Sequence, residues 1–192
     1  MGQIVRNPVF WVAAGSAMIG FGVMSLVMTA TPLAMKHCGF EFDDSTTVIQ
    51  WHVVAMYLPS FFTGALITRF GVLKIIVVGA ILNLVCVAVA LSGIEMINFW
   101  TALVLLGVGW NFMFVGGTTL LAECYTPEEA PRVQGVNDFL VFGMVAMSSL
   151  SSGQLLDRLG WDAVAMTAAP LVSIAMLGAI WLMFSAYRPQ RA

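Results

Sequence analysis

The sequence predicts an all-α membrane protein with six transmembrane helices in a single bundle over residues 1–192. Composition is the first reason. Hydrophobic residues make up 60% of the chain and charged ones 9%, with a mean hydropathy of +0.93. A soluble domain carries about a quarter charged residues, so no water-soluble fold of this size hides that much apolar surface. The spacing of charges is the second. Windows free of Asp, Glu, Lys and Arg run over 7–35, 45–68, 75–94, 96–122, 139–156 and 163–187, and a helix crosses the bilayer in roughly 20 apolar residues. Third, the ten-residue alternation of an outer-membrane barrel is absent. A net charge of −2 leaves no basic footprint for nucleic acid, and the apolar content excludes disorder.

Helices are accordingly expected at about 9–35, 49–69, 73–93, 97–121, 134–154 and 163–187. The first is read as a retained helix, since its apolar window is too long for a signal-peptide core. It is expected to bend at Ala30-Thr31-Pro32. The second carries His52, Pro59 and Thr63 on one face. The third and sixth are almost uniformly apolar, as lipid-facing helices should be. In the fourth, Gly107 and Gly109 suggest close helix packing through small residues. The fifth window is the shortest, so its helix is expected to start near Gln134, which puts Asp138 about one turn inside the membrane boundary. Pro127 and Pro131 are expected to break the preceding loop. Cys38, Cys86 and Cys124 fall too far apart for a disulfide framework.

With six crossings both termini share a side. Arg6, Arg69, Lys74, Arg132, Arg188 and Arg191 then lie on one face and only Lys36 and Arg158 on the other. The positive-inside rule orients the chain N-in and C-in, as expected of a bacterial inner-membrane protein.

Two segments match each other. Gly64-Ala65-Leu66-Ile67-Thr68-Arg69-Phe70-Gly71 closes the second predicted helix and Gly153-Gln154-Leu155-Leu156-Asp157-Arg158-Leu159-Gly160 closes the fifth. Both read G-x-L-x-x-R-x-G, at equivalent places on opposite membrane faces, the mark of a 3+3 inverted repeat. On these residues the chain resembles the major facilitator superfamily of secondary transporters. Gly64, Leu66, Arg69, Gly71 and Lys74 match that family's signature, with Thr68 in place of its Asp. Glu123, Pro127, Glu128, Arg132 and Gly135 are similar to a second family turn. The resemblance implies one half of a twelve-helix transporter fold, and the short tail after Tyr187 suggests the C-terminal half. It implies a second six-helix half as partner, and a cavity lined by the first and fourth helices.

Candidate cavity residues are Trp110, Asn111 and Thr118 on the fourth helix, Ser25 and Thr29 on the first, and Tyr57 on the second. An amide, hydroxyls and aromatic rings suit an uncharged or weakly charged small organic solute with ring character. Asn111 fits a helix-to-helix bond equally well, and Thr118 fits packing better. His52 is either a proton relay or a hydrogen-bonded structural residue. Asp138 is either a proton carrier or half of a latch with Arg69, for which Glu123 competes. The latch is favoured because Asp138 is expected near the cytoplasmic edge rather than mid-membrane, and the family resemblance implies that the basic signature residue engages acidic groups on neighbouring helices.

The function expected is secondary active transport by alternating access, coupled to protons, with no enzymatic activity, cofactor or metal. A truncated remnant or non-transporting packing partner is the second reading. An intramembrane hydrolase is remote, because no G-x-S-G nucleophile occurs.

Overall fold

A computed structural model describes residues 6–185. Arg188, Arg191, Tyr187 and the last residues of the sixth predicted helix lie outside them. The described chain is all-helical: α1 (Pro8–His37), α2 (Phe42–Tyr57), α3 (Ser60–Phe70), α4 (Val72–Leu91), α5 (Met96–Ala122) and α6 (Ala130–Phe184). Helices α1, α4, α5 and α6 are each long and apolar enough to cross a bilayer, and the bent pair α2–α3 makes a fifth crossing if counted as one.

Local chemistry accounts for the helix ends. Asn7 caps α1 by accepting the Val9 N–H at 3.0 Å, Pro8 occupies the first turn, and Lys36 and His37 sit in the last turn against the negative end of the helix dipole. Reciprocal capping boxes open α2 (Glu41 with Asp44) and α5 (Glu95 with Asn98).

Helix α6 has 55 residues and would reach about 80 Å if straight. Its two ends nevertheless share one buried cluster, in which Val133 and Leu182 pack with Phe10, Ile76 and Leu120. The chain therefore folds back within α6. The turning point is Gly160, at φ 82° and ψ 178°, which leaves a first limb (130–159) and a second limb (161–184). Just past the turn, the Trp161 indole N–H donates to the Ala90 carbonyl at 3.1 Å, tying the second limb to the end of α4. Gly71, between α3 and α4, has the matching backbone geometry, φ 93° and ψ 144°. Both copies of G-x-L-x-x-R-x-G thus end on a glycine in a region closed to residues with a Cβ.

Three expectations change in detail. The first limb begins at Ala130 rather than near Gln134, because Pro131 sits in the opening turn, where its missing N–H costs nothing. Asp138 is consequently about two turns into the helix and exposed. Helix α1 runs through Pro32 without interruption. The proline that breaks a helix is Pro59, at a 41° bend between α2 and α3. Pro32 lies near the end of its helix, whereas Pro59 removes a bond from the middle of a crossing.

Helix α5 forms the hub, packing against α1, α2 and α4. A Cβ placed on Gly107 would stand 2.8 Å from the His52 carbonyl oxygen, one on Gly109 2.9 Å from the Gly79 carbonyl, and one on Gly117 2.8 Å from the Ala13 carbonyl. Lipid tails are as apolar as Leu, so such van der Waals contact replaces the hydrophobic effect as the force between helices. The open elements are α3, whose one buried residue is Thr63, and the first limb, where Phe139, Phe142, Met147 and Leu150 are exposed.

Gly107→Val and Gly117→Val are each expected to destabilise the folded protein by about 1–3 kcal/mol, while Gly64→Ala and Gly135→Ala, which meet open space, should be near neutral. Thermal melting in detergent measures this; equal melting temperatures for all four variants would refute the hub.

Candidate functional site

The middle of α5 carries two adjacent residues that organise everything around them. Asn111 is fully buried and directs both amide N–H donors and its carbonyl oxygen to the break between α2 and α3. Its Nδ2 donates to the Met56 carbonyl at 2.8 Å and to Ser60 Oγ at 2.6 Å. Its Oδ1 accepts from Thr63 Oγ1 at 2.6 Å. Pro59 interrupts the helical ladder here, and at membrane depth a freed carbonyl has no water to turn to. One amide therefore holds both sides of the bend. Of the two readings of Asn111, the inter-helix bond is the one realised.

Trp110 projects into an aromatic group drawn from four elements. Its ring stacks on Phe114, one helical turn on, at 5.3 Å between centroids and 8° between planes. Phe21 of α1 meets Trp110 and Phe114 edge-on, each at 5.3 Å. Tyr57, the last residue of α2, meets Trp110 edge-on at 6.1 Å, and Phe142 of the first limb lies 6.1 Å from Phe21. Edge-to-face and offset arrangements of this kind match the charge distribution of the rings. The Trp110 Nε1–H is enclosed and has no acceptor.

The remaining candidates are dispersed. Thr118 donates to its own helix at the Phe114 and Val115 carbonyls. Ser25 is buried on α1, while Thr29 is exposed on the same helix. His52 is fully buried, and its Nδ1 lies 2.7 Å from the Leu103 carbonyl. A carbonyl only accepts, so Nδ1 carries the proton and ties α2 to α5. Its Nε2 has no partner. Arg69 is exposed at the end of α3 with its guanidinium 5.2 Å over the Phe70 ring. Asp138 accepts from Asn137 Nδ2 at 3.4 Å, and among the described residues Arg69 and Asp138 form no ion pair with each other. Glu123 caps the C-terminus of α5, half-buried. Gly64 and Lys74 are exposed and Leu66 is partly covered. Sequence reasoning did not single out Phe21, Ser60 or Phe142. Phe21 and Phe142 are ordinary apolar residues within apolar helices, so no sequence signal marked them before the helices were packed.

The family model for the Major Facilitator Superfamily matches residues 14–192. The chain belongs to the major facilitator superfamily. It is 42% identical over 177 residues to the riboflavin transporter RfnT of Brucella anthropi, a match covering 92% of this chain and 44% of that protein. Two uncharacterized MFS-type transporters of Bacillus subtilis are also similar. YddS is 33% identical over 161 residues, covering 83% of this chain and 37% of its own length; YdeG is 38% identical over 135 residues, covering 69% and 30%. The chain thus spans less than half the length of the curated relatives it matches. Membership places it among transporters rather than enzymes, and these relatives are bacterial.

Asn111→Leu is expected to strand the Met56 carbonyl and release Ser60, while Thr63 falls back on the Pro59 carbonyl 2.8 Å away, and to cost about 1–3 kcal/mol. Thr63→Val, which removes one bond, should cost less. An Asn111→Leu protein that melts at the wild-type temperature would remove the clamp from consideration.

Proposed function

We propose that the chain is one six-helix half of a twelve-helix facilitator transporter, the second of the two, built as a 3+3 inverted repeat. It moves a small, flat heteroaromatic solute of the riboflavin kind by alternating access, coupled to protons. The observation that carries the reading is the aromatic group around Trp110, in a chain 42% identical to a riboflavin transporter. The matched reversals at Gly71 and Gly160 support the repeat. Six crossings follow if α2–α3 is one broken crossing and α6 two. The open faces of α3 and the first limb suit a second half, which would meet both.

In this reading the solute cavity takes Trp110, Tyr57, Ser25 and Thr29, with Asn111 and Thr118 shaping its wall. Arg69, Asp138 and Glu123 form a gate at the cytoplasmic end. Arg69 and Asp138 stand exposed and apart here, so the latch closes in another conformation. His52 and Asp138 are the groups for proton coupling, and His52 keeps one nitrogen free for it.

The test is uptake of labelled riboflavin by the full-length protein carrying this chain, in bacterial cells that cannot make the vitamin. Uptake should be saturable and collapse with a protonophore, and Arg69→Ala should lower it about tenfold or more with membrane insertion intact. Correctly inserted protein that accumulates no flavin would defeat the substrate assignment; full uptake by Arg69→Ala would defeat the gate.

Orientation has a separate test. Cys38 is exposed in the α1–α2 connection and Cys86 is buried. Burial and the neighbouring Glu123 charge push the Cys124 thiol up to about 11, so at neutral pH it is almost wholly the unreactive thiol. In the N-in, C-in arrangement an impermeant maleimide should label Cys38 on intact cells. Labelling that needs permeabilised cells would invert the topology.

A further inference from the structure

Of the six tryptophans, five stand toward helix ends or turns. Trp11 is in the opening turn of α1, Trp100 early in α5, Trp161 beside the Gly160 reversal and Trp181 at the end of α6. Trp51 meets Trp100 edge-on at 6.1 Å and so shares its level. Helix ends are the levels where an indole N–H can find water or headgroups, and Trp161 there donates to the Ala90 carbonyl. Trp110 is different. It lies at the middle of the 27-residue α5, about 20 Å along the helix from its start, and is 6% exposed with an unpartnered N–H. A phenylalanine would keep an aromatic face there without stranding a donor where each unmet polar group is costly.

The rings around it are graded in exposure. Phe21 and Phe114 are partly buried, whereas Tyr57 and Phe142 are each 59% exposed. Of these two open rings, Tyr57 meets Trp110 from the α2–α3 break and Phe142 meets Phe21 from the first limb. Both elements are poorly covered within this chain. The group is therefore closed at its base by the Trp110–Phe114 stack and open at its rim.

We infer that this aromatic group is a slot for one planar, uncharged conjugated heterocycle of the flavin ring class. The ring lies against Trp110 and Phe114, takes the place of a Tyr57 or Phe142 contact, and offers an edge carbonyl or ring nitrogen to the Trp110 Nε1–H. The donor explains the ligand class: a hydrocarbon ring would stack equally well and leave the N–H unmet. Asn111, adjacent on the same helix, fixes the α2–α3 break and with it the position of Tyr57. This inference rests on the transport reading above and assigns the part of the solute that is recognised.

The experiment measures quenching of flavin fluorescence by the purified full-length protein, alongside uptake, with two probes: riboflavin and lumiflavin, which has the same ring without the ribityl chain. Wild type should bind both. Trp110→Phe keeps an aromatic ring and removes the N–H, and should weaken both about tenfold, the worth of one hydrogen bond to an otherwise stranded donor. Phe142→Leu should lessen the quenching, while Leu150→Ala, exposed on the same limb, should leave binding unchanged. Should Trp110→Phe not fold, as read by its melting curve, Phe114→Leu tests the same stack and should weaken both probes. Wild-type uptake with unaltered affinity in the folded stack variant would overturn the slot and leave the transport reading standing. So would riboflavin binding that lumiflavin cannot displace. Wild type that neither binds nor accumulates either flavin would overturn both.

Discussion

Backbone-to-backbone approach at α5 is the constraint on which the rest of this bundle depends. Gly107, Gly109 and Gly117 present bare backbone to α2, α4 and α1 in turn, and each leaves less room than a methyl group needs. With no water to expel from between helices in lipid, close contact and hydrogen bonds are what remain to hold them together. The small residues let α5 sit at the centre, and that position brings Trp110 and Asn111 to α1, α2 and α3 at once. Larger residues there would push α2 outward and separate Tyr57 from Trp110.

The break between α2 and α3 follows from the same shortage of water. A proline inside a membrane crossing leaves polar backbone that must be satisfied by protein. Asn111 supplies the answer from the neighbouring helix, with Ser60 and Thr63 completing the set. The bend is thereby fixed by side chains rather than left as a loose joint. Such a clamp has a consequence for transport proteins in general: a discontinuous helix held by one amide has a definite resting shape and a definite set of bonds to exchange when it moves.

Much of the architecture was legible in the linear pattern because membranes impose length and polarity directly on sequence. Charge-free windows marked the apolar helices, and each of the paired G-x-L-x-x-R-x-G motifs ends on a glycine of positive φ, Gly71 and Gly160. Pro131 was harder to read, since a proline opens a helix as readily as it ends one, and only the surrounding fold decides between them. Pro32 and Pro59 pose the same ambiguity and resolve in opposite ways. The candidate site was half legible: Trp110, Asn111 and Tyr57 stood out by type and spacing, but Phe21 and Phe142 are ordinary residues in apolar helices until the helices are packed.

By itself the sequence determined that the chain is helical and belongs in a bilayer, because apolar length and the distribution of charge are properties of local segments. It also carried the family signature, in Gly64, Leu66, Arg69, Gly71 and Lys74. Tertiary structure decided the roles. It turned Asn111 into a clamp, gave His52 a carbonyl partner on another helix, left Arg69 and Asp138 unpaired with each other, and gathered four aromatic residues around one unpartnered indole. Those outcomes depend on which faces meet across helices distant in the chain, and helical periodicity says which residues share a face without saying what that face will touch.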